Sequence, residues 1–443
     1  MSSSANILFT HSYFYPLDEK QWKNKTPYPP LGTITAAAFM RQLGHRVDFF
    51  DTNLLRSSNG LKPYLKDDLD FLVVYDDGFN YLTKMCLTTM REAAFEMIQM
   101  AAEKGIPVLV SSSDSTDHFE KYLDAGATAV ILGEGEETLK EAVEYLQAGK
   151  SLDESIAGLA YRDNGITIRT APRKVMKDLD ALPIAAWDLV DVEAYRKVWS
   201  EGKYPFHLNI ATTRGCPFKC NWCAKPIYGN RYNTRSPEHV IQEIEYLIAH
   251  FDVNRYWMCD DIFGLKPGWV KQFNKLLKEK NIQIQYKIQS RADLLVKDNT
   301  IEALAESGLY EVWIGAESGS QKILDAMDKG TTLEQIKTST DKLQELGVRV
   351  AYFIQFGYLG ETKADIDLTL QMIRDNKPDD IGVSVSYPLP GTPFYDTVKQ
   401  DLGNKANWSD SDDLAMMFQG TFNTDYYKTL HRYLHKRYRA DQG

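Results

Sequence analysis

Cysteine is scarce in this 443-residue chain, with only five residues. So few, and an odd number, excludes a disulfide-stapled scaffold and argues against a fully paired secreted protein. Positive charge is in deficit too. With 51 Lys and Arg against 61 Asp and Glu, the formal charge is −10, which disfavours a dedicated nucleic-acid binder held by phosphate neutralisation. No uncharged apolar stretch reaches the ~18 residues of a membrane span. The opening MSSSANILFTHSYFYPLDEK lacks a basic leader segment and a small-residue cleavage site, so a cytoplasmic chain is expected. Neither an internal repeat nor a low-complexity tract is found. What is present, 43% hydrophobic residues, suffices for two or three packed cores at ~150 residues each.

The pattern along the chain is α/β. In residues 1–150, short apolar runs alternate with amphipathic stretches, the signature of a parallel sheet with helical crossovers. Strands are predicted at 6–9, 46–50, 71–75, 107–110 and 129–132. Helices are predicted at 33–43, from about Lys84 to Lys104, and from Glu136. Five strands in this length match one doubly wound, Rossmann-like domain. Residues 151–204 read as a linker with a small hairpin at Asn164-Gly165, a recognised turn pair. A second βα series fills 205–400, with strands at 207–213, 255–261, 283–291, 310–317, 348–357 and 380–387. Six such units fit a partial (β/α)6 barrel. Residues 401–443 form a C-terminal helical extension. Its helix, 424–439, carries Lys428, Arg432, Lys436, Arg437 and Arg439, a charge run read as a solvated face, opposite a buried stripe of Leu430, Tyr433, Leu434 and Tyr438.

Three of the five cysteines stand together. RGCPFKCNWC places Cys216, Cys220 and Cys223 just after the first strand of the second series. At this composition the C-x3-C-x2-C spacing arises by chance with odds of roughly one in 1,600. Thiolates this close in a loop can converge on a metal centre. A structural zinc wants a fourth ligand at short spacing, and the nearest downstream histidine, His239, is sixteen residues beyond Cys223. A thioredoxin-type dithiol needs no third cysteine. A four-iron four-sulfur cluster takes four ligands, so three thiolates leave one iron open, as catalytic metal sites keep a position for substrate. Cys86 and Cys259 read as ordinary buried thiols.

In the barrel strands one face is apolar and the other is not. Tyr256 and Met258 oppose Trp257, Cys259 and Asp261. Ile284, Tyr286 and Ile288 oppose Lys287, Gln289 and Arg291, and Val312 and Ile314 oppose Trp313, Gly315 and Glu317. Gln355 interrupts the apolar fifth strand, and Ser384 and Ser386 alternate with Val383 and Val385. Buried polar side chains need partners. Those partners are either one another, as ion pairs between strands, or a zwitterionic ligand.

From 205 to 400 the chain resembles the radical S-adenosylmethionine enzymes. Trp222 occupies the aromatic position of their C-x3-C-x-aromatic-C loop. CDDIFG (259–264), QSRADLL (289–295) and GAESGSQKIL (315–324) end the next three strands. GYLGET (357–362) resembles the family's G-x-P-G-E-T turn with Leu359 in place of proline, and YPLPGTPFYD (387–396) resembles its P-x-P-G-T segment. The resemblance implies a cluster on Cys216, Cys220 and Cys223, with S-adenosylmethionine on the open iron cleaved to a 5′-deoxyadenosyl radical. It implies cofactor contacts from Trp222, Asp260 or Asp261, Arg291 (toward the carboxylate), Glu317, Ser318 and Gln355. It also implies a small-molecule substrate and an external electron donor such as flavodoxin or ferredoxin.

The first ~150 residues resemble the cobalamin-binding domain that precedes many of these enzymes, through YPPLGTITAAAFMRQLGHRVDFFD (28–51) and GATAVILGEGEETLKE (126–141). Leu31, Gly32, Ser111, Ser112, Ser113, Gly133, Glu134 and Gly135 are the positions this implies. The family's paired glycines after the fourth strand are here serines, and the axial-histidine motif of other cobalamin proteins is absent. The plain reading of GEGEET is helix initiation, with Glu136 and Glu137 in the first turn. Function is expected to be cobalamin-dependent radical chemistry at an unactivated C–H bond, methyl transfer or related. The alternatives are cobalamin-independent cyclisation, rearrangement or C–C coupling, and a non-catalytic iron–sulfur or corrinoid carrier.

Overall fold

The computed structural model describes residues 4–79, 87–225, 227–402 and 414–442. The chain divides into two compact units, Met1–Arg214 with Pro226–Arg255, and Gly215–Lys225 with Tyr256–Gly443.

The first unit is built on β1 (Asn6–Thr10), β2 (Arg46–Phe50), β3 (Phe71–Tyr75), β4 (Val108–Ser111) and β5 (Ala129–Ile131). It continues into β6 (Leu159–Asp163) and β7 (Ile166–Arg169). Their order in the sheet is β2-β1-β3-β4-β5-β6-β7. The first five are parallel and the last two antiparallel. Val73, Val108, Leu109 and Val130 are fully buried, because helices cover both faces of such a sheet. Helices Leu31–Gln42 and Glu136–Gln147 pack on one side and Thr88–Ala102 on the other. The expected start of that last helix at Lys84, and Cys86, lie outside the described residues. The hairpin turns at Asn164 (φ 48°) and Gly165 (φ 80°), the two positive φ values of a type I′ turn. Its strands lengthen the sheet from five to seven.

Further along the chain come β8 (Leu208–Ile210), the short ribbon β9 (Thr213–Arg214) and β10 (Asn233–Thr234), then β11 (Arg255–Met258), β12 (Gln285–Ser290), β13 (Leu309–Glu317), β14 (Arg349–Phe356) and β15 (Asp380–Val385). With β8, the last five make up the six-strand series read from the sequence. In the second unit the strands run in chain order and in parallel, with β15 at the edge, so the barrel is partial. The face assignments hold. The Tyr286 hydroxyl meets Ser307 Oγ, and the Tyr352 hydroxyl meets Thr340 and Asn376, so the apolar faces look toward the helices. Gln289, Trp313 and Gln355 point the other way. On the final helix, Thr424–Gln442, Leu430 and Leu434 are buried. Tyr433 is a correction to the expected stripe: it is 48% exposed, because Leu434 rather than Tyr433 turns inward. Among the described residues no helix is long and apolar enough to cross a membrane.

Candidate active site

The cysteine loop starts at Gly215, whose φ of 79° is a conformation that favours glycine. Cys216, Cys220 and Cys223 are all reduced and half-buried. The Cys223 N–H donates to Cys220 O at 3.2 Å, and Lys225 Nζ donates to Phe218 O at 2.8 Å. Burial pushes the Cys216 thiol up and the Cys223 thiol up to about 11, and the thiols act on one another's charge. Loading a metal centre here therefore releases protons. Among the described residues no three His, Cys, Asp or Glu side chains gather closely enough to hold one ion. A cluster binds each cysteine through a different iron, and the three thiols stand on one loop.

Lys225 acts on the charge of Cys216 and Cys223, and Arg291 reaches Cys220. Its guanidinium lies 3.7 Å over the Phe218 ring, with one N–H directed at Cys220 Sγ, also at 3.7 Å. Three further donors go to Asp293 Oδ1 (2.8 Å), Lys329 O (2.6 Å) and Thr331 Oγ1 (3.2 Å). The residue read from the sequence as a carboxylate partner thus braces the loop. At the end of β13, Glu317 adopts φ 57° beside a register shift between Gly315 and Glu317. Such a left-handed residue at a bulge marks strain kept for a purpose. Its carboxylate is buried 2.7 Å from Lys329 Nζ, itself buried, and nothing in the sequence pattern singled out Lys329. Ser318 Oγ accepts from the Ser320 N–H and meets Thr369, which closes the turn. Gln355 donates to Ser386 Oγ at 2.8 Å. Asp260 is buried and Asp261 exposed, following Cys259, which is buried. The buried Trp222 indole N–H has no partner among the described residues.

The first unit has its own charged centre. Arg214 is buried with 2.6 Å contacts to both Glu134 Oε1 and Glu136 Oε1, and its guanidinium lies 5.6 and 5.3 Å from the rings of Phe79 and Tyr228, which stack on each other. Glu134 also accepts from the Met176 N–H. Burial raises Glu134, while Arg214, flanked by the two carboxylates, is held well above its ordinary value. Ser112 and Ser115 form a reciprocal capping box. A Cβ on Gly135 would lie 2.7 Å from the Tyr75 hydroxyl and 3.0 Å from Ser111 Oγ, and one on Gly32 3.1 Å from Asp77 Oδ1. Ser113 and Leu31 are buried beside these groups. Among the described residues, a Cβ on Gly133, at φ 81°, would meet only Ile227 O, at 3.4 Å. The room at Gly133 and the sheet order, which reverses between β1 and β3, the place where doubly wound folds take ligands, fit a corrinoid. The carboxylate of Glu134 and the Ser112 hydroxyl are engaged elsewhere.

Against known proteins, residues 210–373 match the model of the radical SAM superfamily. The chain carries a radical SAM domain. An uncharacterized methyltransferase of Pyrococcus horikoshii is 29% identical over 282 residues, 63% of this chain and 60% of the relative. The anaerobic magnesium-protoporphyrin IX monomethyl ester cyclase of Rubrivivax gelatinosus is 26% identical over 284 residues, 62% of this chain and 49% of the relative. The chain thus spans half to three-fifths of these relatives' length. Among solved structures, the radical S-adenosylmethionine methyltransferase TsrM of Kitasatospora setae, with tryptophan and a cofactor analogue bound, superposes with a TM-score of 0.75. It does so at 18% identity, covering 90% of this chain and 77% of that one. The cobalamin-dependent radical enzyme OxsB, with aqua-cobalamin bound, gives 0.71 at 18% identity, covering 84% and 52%. Both share the fold: a doubly wound domain followed by a partial radical SAM barrel.

Within the radical SAM domain, Glu361 of the GYLGET turn is fully buried. It accepts from the Gly357 N–H at 2.7 Å and lies 3.4 Å from the Tyr427 hydroxyl. Burial pushes its carboxyl up to about 7. Between the ordinary carboxylate value and pH 7 the folded chain then binds more protons than the unfolded one, so this group's contribution falls as pH rises through that window. We expect Glu361→Gln to remove this slope. The variant should match wild type near pH 4.5 and gain on the order of 2–3 kcal/mol at pH 8, read from urea unfolding at both pH values. Equal slopes in the two proteins would contradict the assignment.

Proposed function

We propose that this chain is a radical S-adenosylmethionine enzyme that acts at an unactivated C–H bond of a small molecule, with corrinoid-dependent methyl transfer as its reaction. The observation that carries the reading is the loop 215–225, which presents three half-buried thiols, one of them, Cys220, met by Arg291. When bound, a cluster with one iron free of protein ligands supplies the electron that cleaves S-adenosylmethionine, and cobalamin supplies a methyl carrier. Cys216, Cys220 and Cys223 give the thiolates, and the Arg291 N–H stabilises negative charge on the Cys220 sulfur. Lys329 and Glu317 offer one cation and one anion to the zwitterionic end of the cofactor. The unpartnered Trp222 N–H is a donor for its polar groups. The methyltransferase named among the relatives and the corrinoid named for OxsB support this version. The reaction calls for a reducing cytoplasm and an external one-electron donor such as flavodoxin or ferredoxin.

A second reading, radical chemistry without cobalamin, is favoured by one observation: Glu134 and Ser112 already have protein partners. The experiment is anaerobic cluster reconstitution with hydroxocobalamin present, then desalting, then dithionite and S-adenosylmethionine. Retained corrinoid absorbance together with 5′-deoxyadenosine is the expected result. Formation of 5′-deoxyadenosine without retained corrinoid selects the second reading. Intact S-adenosylmethionine on a full cluster, with substrate surveyed from a cell extract, defeats both.

A further inference from the structure

One asparagine ties the cysteine loop to three other parts of the second unit. Asn221 directly follows Cys220, and all its polar groups are bonded. Its backbone N–H donates to Met327 O at 3.1 Å, and its carbonyl accepts from the Phe394 N–H at 3.0 Å. Its Nδ2 donates to Ala326 O at 2.8 Å and to Asp328 Oδ2 at 3.0 Å. Its Oδ1 lies 2.8 Å from the Tyr358 hydroxyl, which is also 2.9 Å from Ala326 O, so one phenolic proton serves two acceptors. The segment held in this way runs through Asp328, left-handed at φ 52°, directly into Lys329, the cation of the buried pair with Glu317. The backbone carbonyl of that same Lys329 accepts from Arg291, which reaches back to Cys220. Tyr358 in turn stacks on Phe394 at 5.0 Å.

We propose that Asn221 is a positioning residue that couples the cysteine loop to the Lys329–Glu317 pair. It holds the sulfurs and the two charges that receive the amino acid end of the cofactor in one register. The proposal rests on the reading of the three cysteines as cluster ligands. Only a carboxamide supplies two donors and an acceptor from one planar group at this spot. The isosteric Asn221→Asp keeps the acceptor for Tyr358 but turns both donors into acceptors facing Ala326 O and the Asp328 carboxylate. A residue that merely stabilised the loop would lower stability and leave cofactor affinity unchanged.

The test uses the full chain, reconstituted anaerobically with iron and sulfide and reduced with dithionite. S-adenosylmethionine is titrated in, and the cluster's electron paramagnetic resonance signal reports binding. All variants should hold wild-type iron. Asn221→Asp is expected to need about tenfold more S-adenosylmethionine for half-conversion, the equivalent of about one lost hydrogen bond. Tyr358→Phe should need about threefold more. Asn221→Asp combined with Asp328→Asn restores a donor–acceptor pair with the roles exchanged at position 328, while Ala326 O still faces an acceptor, and should recover part of the loss. Wild-type titration curves for Asn221→Asp, with or without a lower melting temperature, overturn the proposal. Should Asn221→Asp not fold, an unshifted Tyr358→Phe overturns it alone. A wild-type protein that holds no iron overturns the cluster reading instead, which is a distinct failure.

Discussion

A Cys220→Ala chain is expected to hold no cluster and to leave S-adenosylmethionine intact, with cleavage falling at least ~10³-fold, to background. Three thiolates with one open iron are already one ligand short of a closed set, so losing any one leaves too few to retain the cluster. Cys220 is the most informative choice because its surroundings do not depend on it. Arg291 keeps Asp293, Lys329 O and Thr331 when the sulfur is gone. Asn221 keeps its bonds to Ala326 and Asp328. The variant should therefore fold with a near-wild-type melting temperature while its iron content collapses. Iron analysis and the product assay on the same preparation check this. A folded variant that retains both iron and cleavage would show that the cysteine loop is not the reaction centre.

The second large effect lies in the first unit. Arg214→Met should destabilise the chain by about 3–5 kcal/mol, because it removes the one cation between two buried carboxylates. Glu134 and Glu136 are each less than 10% exposed, and among the described residues Arg214 is the one cation paired with them. In the variant, burial and the neighbouring carboxylate favour the protonated form of Glu134. The folded variant then binds protons that its unfolded chain releases at neutral pH, so the loss should be smaller near pH 5 than at pH 8. Urea unfolding at the two pH values reads this directly. A variant as stable as wild type at both would mean that the triad contributes nothing net, an outcome known for some buried ion pairs when replaced as a set.

Much of the frame was legible in the residues. The strands at Arg46–Phe50 and Phe71–Tyr75 fall where alternation and β-branched runs place them. Helix Leu333–Glu345 begins at the Thr332 capping box, a local signal. The sulfur loop announced itself by spacing alone. Asn221, Lys329 and Arg214 were not legible as functional positions, and the reason is physical. Periodicity reports which side chains are buried but not which partner each one meets. Asn221 meets Asp328 and Tyr358, more than a hundred positions away, and Arg214 meets Glu134 eighty positions back. Arg291 shows the converse: its place at a strand end was readable, but beyond the nearby Asp293 its guanidinium is held by Lys329 O and Thr331, on a turn that only folding brings near. Ser318 and Gln355, read as cofactor contacts, have protein partners in Ser320, Thr369 and Ser386.

The central claim is that Cys216, Cys220 and Cys223 hold a four-iron cluster with one iron open to S-adenosylmethionine. The most direct measurement is the electron paramagnetic resonance spectrum of the reconstituted, dithionite-reduced full chain, recorded with and without S-adenosylmethionine. The account predicts about four irons per chain and a signal whose g-values change when S-adenosylmethionine is added. A fully loaded, reduced cluster whose spectrum is unchanged at millimolar S-adenosylmethionine would contradict it.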